Sequence, residues 1–219
     1  MFRKLVIFIV CAILSAGMLN VQADQMGEQL LAIQLANLGY QKKDSLLLMT
    51  AAKIFKTSPV QAISLNKQGA KNSKTMPKIM PKNKRISYLA DDLLNTAEQY
   101  SKGKAELVLL IQELRSFTAR GLSDGAKMHK DQVLANGFDY YKLSFEADAM
   151  AKVGIVSDDS QQDLDLYVVE ALDQDKIVCQ DTSATSGSLC EWVPEKEQDY
   201  IIKIKNRSSS MTAYTMILN

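Results

Sequence analysis

Histidine is almost missing from this chain of 219 residues, where His129 stands alone. That scarcity excludes multi-histidine metal centres, and it leaves any serine or cysteine nucleophile a single histidine base. Cysteine is nearly as scarce: Cys11, Cys179 and Cys190 cannot build a four-cysteine cage. The glycines form neither a phosphate-cradling loop nor a Gly-x-Ser-x-Gly elbow. Acidic residues are absent from Thr57 to Ala90. The apolar run near the start, Leu5–Leu14, falls well short of the ~20 residues that span a bilayer.

Arg3 and Lys4, the apolar run Leu5–Leu14 and the small-x-small exit Val21-Gln22-Ala23 have the layout of a cleaved secretory signal. Residues 1–23 are therefore expected to be a signal peptide, and the protein to be periplasmic or secreted from a bacterium. Phe8-Ile9-Val10 before Cys11 lacks the small residues of a lipid-attachment site. In an oxidising compartment, Cys179 and Cys190, eleven positions apart, predict a disulfide.

Past Ala23 the charge divides. Asp24–Gly137 holds 17 basic and 10 acidic residues, a net of +7, and Phe138–Asn219 holds 7 and 15, a net of −8. The sign changes where the apolar period changes, which predicts two domains. A helical domain is expected over 24–122, with a basic, proline-containing linker at 57–86. A connection at 123–137 leads to a β-sandwich domain at 138–219.

Met26, Leu30, Leu31, Ile33, Leu35 and Leu38 follow helical spacing between Gln25 and Tyr40. Asp44 is placed to cap a second helix carrying Leu47, Leu48, Ala51, Ala52, Ile54 and Phe55, which Ser58-Pro59 ends. Ser87–Lys102, with Leu89, Leu93, Ala97 and Tyr100, and Lys104–Arg120, with Leu107, Leu110, Ile111, Leu114 and Phe117, predict two more helices. The four are expected to pack through these stripes as helical hairpins or a bundle. The linker carries Lys67, Lys71, Lys74, Lys78, Lys82, Lys84 and Arg85. It reads as a solvated segment, with weak contact to an anionic surface as its functional alternative. Export and the lack of interleaved aromatics exclude nucleic acid as a partner.

From Tyr140 the period becomes two. Tyr141, Leu143 and Phe145, then Val153 and Ile155, then Leu164, Leu166 and Val168 alternate with polar or outward residues. Ile177 and Cys179, Cys190 and Trp192, Tyr200 to Ile204, and Tyr214 to Leu218 complete seven short strands between Asp, Ser, Gly and Asn clusters. The pattern predicts an antiparallel sandwich and an α+β chain. Ser157-Asp158 leading to Asp163-Leu164-Asp165-Leu166-Tyr167-Val168, Cys179-Gln180-Asp181, Cys190-Glu191-Trp192-Val193-Pro194, Tyr200 to Asn206 and Ala213-Tyr214-Thr215-Met216 occur in this order. In these elements Ala151–Asn219 resembles the bacterial pre-peptidase C-terminal domain. The resemblance implies a sandwich of jelly-roll type in an exported protein, without catalysis of its own. Some related modules bind calcium or extracellular polymers. No peptidase domain precedes the module here, so the resemblance carries no activity to this chain.

Among candidate sites, Asp158, Asp159, Asp163 and Asp165 cluster at a strand start, and clustered carboxylates suit calcium, which takes six to eight oxygens. An EF-hand is excluded, because Leu164 fills the place that needs glycine. The alternative for the cluster is a solvated turn. Trp192 reads as core beside Cys190, with stacking on a ligand ring as the alternative. His129 falls in a polar connection with no second ligand nearby, and no catalytic residue stands out. These readings predict a non-enzymatic binding or scaffolding protein that recognises a protein or envelope polymer. The alternatives are a calcium-dependent carbohydrate- or matrix-binding module and a hydrolase.

Overall fold

Asp44 starts its helix as its position predicts: the carboxylate accepts from Leu46 N at 2.8 Å and Leu47 N at 3.2 Å. These donors have no partner inside the helix, and the carboxylate supplies one. The computed structural model describes residues 25–71, 87–117 and 126–219. The leader 1–23 and the linker cations Lys74, Lys78, Lys82, Lys84 and Arg85 lie outside them. Among the described residues four helices form, α1 (Gln25–Lys42), α2 (Ser45–Thr57), α3 (Ala90–Ser101) and α4 (Ala105–Ser116). Each packs on the next in chain order.

Ten strands follow the chain: β1 (Gln61–Ala62), β2 (Gly69–Lys71), β3 (Lys127–Val133), β4 (Phe138–Phe145), β5 (Ala151–Ser157), β6 (Leu164–Glu170), β7 (Ile177–Asp181), β8 (Gly187–Trp192), β9 (Gln198–Asn206) and β10 (Thr212–Leu218). They make two five-stranded sheets, sheet A in the order β1-β3-β10-β5-β8 and sheet B in the order β2-β4-β9-β6-β7. Every pairing is antiparallel except β1 with β3. The seven strands expected from Tyr140 onward are β4 to β10. The other three come from stretches read as connections: the linker 57–86 supplies β1 and β2, and the interval 123–137 supplies β3.

Two apolar layers hold these elements. Between the sheets, Tyr141, Phe145, Leu166, Val168, Ile202 and Ile204 of sheet B meet Val153, Ile155, Cys190, Trp192, Tyr214 and Met216 of sheet A. On the other face of sheet A, Met128, Val156 and Ile217 join the helical core built from Ile33, Leu48, Phe55, Leu93 and Ile111. The helices thus cover sheet A, and the order from back to front is helices, sheet A, sheet B.

Two helical stripes differ from expectation. In α1 the buried face is Met26, Gln29, Ala32, Ile33, Ala36, Asn37 and Gly39, while Leu31 and Leu38 face outward. Small residues win this face because α2 comes close: a Cβ on Gly39 would stand 2.8 Å from Leu48 Cδ2. In α4 only Ile111 is fully buried, and Leu109, Leu110 and Phe117 are exposed. This helix ends the row and packs mainly on α3 and α2, which leaves part of its stripe exposed.

Candidate functional site

The side chains with acid–base chemistry converge where β3, β4 and β10 meet the linker. On β3, Met128 and Lys130 point to the helices, so His129, Asp131 and Val133 point toward sheet B. Pleating likewise places Asp139 and Tyr141 of β4 on the inner face. Leu65 N donates to His129 Nδ1 at 3.2 Å, which leaves Nε2 to face the Tyr141 hydroxyl at 3.3 Å. Tyr141 donates to Asp131 Oδ2 at 2.8 Å, Tyr214 donates to Asp139 Oδ2 at 2.9 Å, and the two hydroxyls lie 2.5 Å apart. Lys67 closes the group. Its Nζ stands 2.8 Å from Asp139 Oδ2, 3.2 Å from Asp131 Oδ2 and 2.9 Å from Gln132 O.

Environment separates the two carboxyls. Burial raises Asp139, and Lys67 and Tyr214 only partly oppose it. Burial acts the same way on Asp131, but hydrogen bonding from His129, Gln132 N and Tyr141, with the charge of Lys67, holds it well below the usual carboxylate range. Burial pushes both tyrosines upward, so they stay neutral donors. Two phenol hydrogens serve three contacts, the two carboxylates and the Tyr141–Tyr214 pair, in which either hydroxyl can donate. The partners are mutual, and this arrangement ties the linker to both sheets. Sequence reasoning missed these residues. Alternation in β4 does put Asp139 on the face of Tyr141 and Phe145, and an inward acid requires a buried cation.

The structure does not bring the four predicted calcium aspartates to one point. Asp158 turns back to the helices, accepts from the Tyr88 hydroxyl at 2.9 Å, and is raised by burial. Tyr88 also bonds to Asn37, whose amide donates to Ser157 O at 2.9 Å, and the Lys130 ammonium lies 3.7 Å from the Tyr88 ring centre. Asp159 closes a turn by accepting from Gln161 N at 3.0 Å. Asp165 is buried under Arg207, whose Nε stands 2.6 Å from Oδ2, and also accepts from Tyr167 at 3.0 Å. Asp163 Oδ1 is buried without a hydrogen-bond partner among the described residues. Among the described residues no group of three His, Cys, Asp or Glu side chains is arranged to hold a metal ion.

Trp192 is buried edge-on against Phe145 and Tyr200, with ring centres at 4.8 Å and 5.3 Å, so it offers no face to a ligand. The disulfide forms as predicted, Cys179 of β7 to Cys190 of β8 with Cα atoms 5.7 Å apart, and it joins an edge of sheet B to an edge of sheet A. Of the linker cations, Lys67 is turned inward rather than toward an anionic surface.

Sheet B turns its other face outward, because the helices cover only sheet A. Register sets that face in rows: Phe138 beside Lys205 beside Asp165, Tyr140 beside Lys203 beside Tyr167, Lys142 beside Ile201 beside Val169, and Ser144 beside Asp199. Phe138 and Tyr140 lie near-parallel, with ring centres at 6.1 Å, and the Lys205 ammonium sits 5.3 Å from the Phe138 ring centre. Lys142 is paired with Asp199 at 2.6 Å, but among the described residues no carboxylate lies within ion-pair distance of Lys203 or Lys205. Next to these rows an open groove of about 580 Å³ has Lys142, Ser144, Asp199 and Ile201 as its floor. Gln68 stands on one side, and the β6–β7 turn with Leu172 and Gln174 stands on the other.

No protein-family model matches the chain, and no curated protein matches it. Among solved structures it is similar to the pre-peptidase C-terminal domain of a collagenase from Bacillus anthracis, at 7% identity and a TM-score of 0.35, over 43% of this chain and 89% of that one. It is similar to PliG, a periplasmic inhibitor of g-type lysozyme from Aeromonas hydrophila, at 12% identity and a TM-score of 0.34, over 46% and 91%. A third is a carbohydrate binding module of Cellvibrio mixtus lichenase 5A, at 9% identity and a TM-score of 0.25, over 41% and 86%. The first belongs to the family that Ala151–Asn219 resembles in sequence, and likenesses this remote carry no argument about what the chain binds.

Proposed function

We propose that this is an exported, non-enzymatic binding protein whose partner, an envelope protein or polymer, lies against the outer face of sheet B. One contrast supports the reading. The groups fit for acid–base work satisfy one another in the interior, whereas Phe138, Tyr140, Tyr167, Lys203 and Lys205 are half-buried on a face that the described helices leave open. Half-buried rings beside ammonium groups with no carboxylate within ion-pair distance among the described residues are the makings of a recognition surface. The disulfide accords with a compartment where thiols are not kept reduced. In this reading the two sheets form a jelly-roll-type sandwich of the pre-peptidase C-terminal kind, and the helices brace its back.

The test is cosedimentation of the purified protein with native envelope fragments. The protein is expected to pellet with them, and a Tyr140→Ala, Lys203→Glu double variant of unchanged melting temperature is expected to stay in solution. Equal pelleting of the variant would place the binding site elsewhere.

A further inference from the structure

We infer that the ligand of this face is an acidic polysaccharide, a chain of sugars with spaced anionic groups. The inference rests on the binding role proposed for sheet B and names the chemistry of its ligand.

Three observations lead there. First, Tyr140, Lys203 and Tyr167 form one row across three strands, so ring, ammonium and ring succeed one another over about 10 Å at the usual strand spacing. Ring faces suit the flat C–H surfaces of sugars, and an ammonium between them suits an anionic substituent. Second, the groove that continues this row is lined by the polar Gln68, Ser144, Gln174 and Gln198, together with Glu197 and the Lys142–Asp199 pair. Amides and hydroxyls both donate and accept, as sugar hydroxyls require. Third, the charges are incomplete. Lys142 and Arg207 are neutralised by Asp199 and Asp165, whereas Lys203 and Lys205 have no carboxylate within ion-pair distance among the described residues.

The same observations weigh against other macromolecules. Lysine is depleted at the centre of protein interfaces, and here two lysines occupy the centre. Duplex DNA carries one charge about every 1.7 Å, and Phe138–Asn219 has a net charge of −8, which repels so dense a polyanion. A glycan with more widely spaced charges meets the same net charge, but the repulsion is weaker and the two lysines offset more of it.

The experiment measures binding of the purified protein to polygalacturonate and to the same polymer fully methyl-esterified, which keeps the sugar backbone and removes the charge. The acidic polymer is expected to bind and the ester at least about tenfold more weakly. Binding is expected to weaken toward 1 M salt, where the screening length is about 3 Å. Lys203→Ala with Lys205→Ala, and separately Tyr140→Ala, should each weaken binding roughly tenfold, while Lys53→Ala on α2 should leave it unchanged. Equal binding of the ester or of oligothymidylate overturns the inference, as does binding by the lysine pair variant at wild-type strength. If envelope fragments still bind through this face while polygalacturonate does not, the glycan ligand is refuted and the binding face stands.

Discussion

Lys67 shows how one residue of a basic segment becomes structural. Its ammonium satisfies Asp139, which is 1% exposed, and also reaches Asp131 and the Gln132 carbonyl. Removing it leaves a buried carboxylate without its cation, a larger loss than any exposed lysine causes. Lys67→Met is therefore expected to cost about 2–3 kcal/mol in urea unfolding, at the low edge of the usual range because Lys67 itself is 24% exposed. Adding Asp139→Asn should restore part of the loss, since a neutral amide no longer needs the ammonium. An additive double variant would show that the pair does not interact in this way. Asp131 keeps its hydrogen bonds from Tyr141 and Gln132 N in either variant.

At the scale of elements, α1 approaches sheet A most tightly over a glycine. A Cβ on Gly154 of β5 would stand 2.7 Å from Leu30 Cδ1, so only hydrogen fits beneath the helix without displacing that leucine. Gly154→Val is expected to lower stability by about 2 kcal/mol as Leu30 and α1 shift, read as a lower melting temperature. An unchanged melt would mean that the helix layer moves freely on the sheet. The four helices and strands β4 to β10 were legible because each repeats apolar residues at its own period, as Leu93 and Ala97 do in α3 and Leu164, Leu166 and Val168 do in β6. Strand β3 was not legible, because its inward side carries His129 and Asp131 where a core strand normally carries apolar residues. The polar group around Lys67 was hidden because Lys67 and Tyr214 are far in sequence from the His129–Tyr141 stretch and reach it only in the folded molecule. The rows of sheet B's outer face were half legible. Alternation places Tyr140 and Lys203 outward, but only register sets them side by side.

For the whole molecule, the disulfide ties the two sheets at one edge. Breaking it with Cys179→Ala and Cys190→Ala is expected to cost about 3 kcal/mol in chemical unfolding. The loss should be largely reproduced by reduction of the unaltered protein. A stability unchanged by both treatments would mean that the shared apolar layer suffices alone. Strand β10 has a different consequence. It lies between β3 and β5, which have no other pairing to each other, and it sends Ile217 to the helical core and Tyr214 and Met216 to the core between the sheets. Every residue before Thr212 is synthesised before this strand exists. Until then sheet A has a gap at its centre, and both cores lack a wall. Pairings this distant along the chain form late in folding. The growing chain is thus barred from completing its fold during synthesis, and both cores close only once Thr212–Leu218 has emerged.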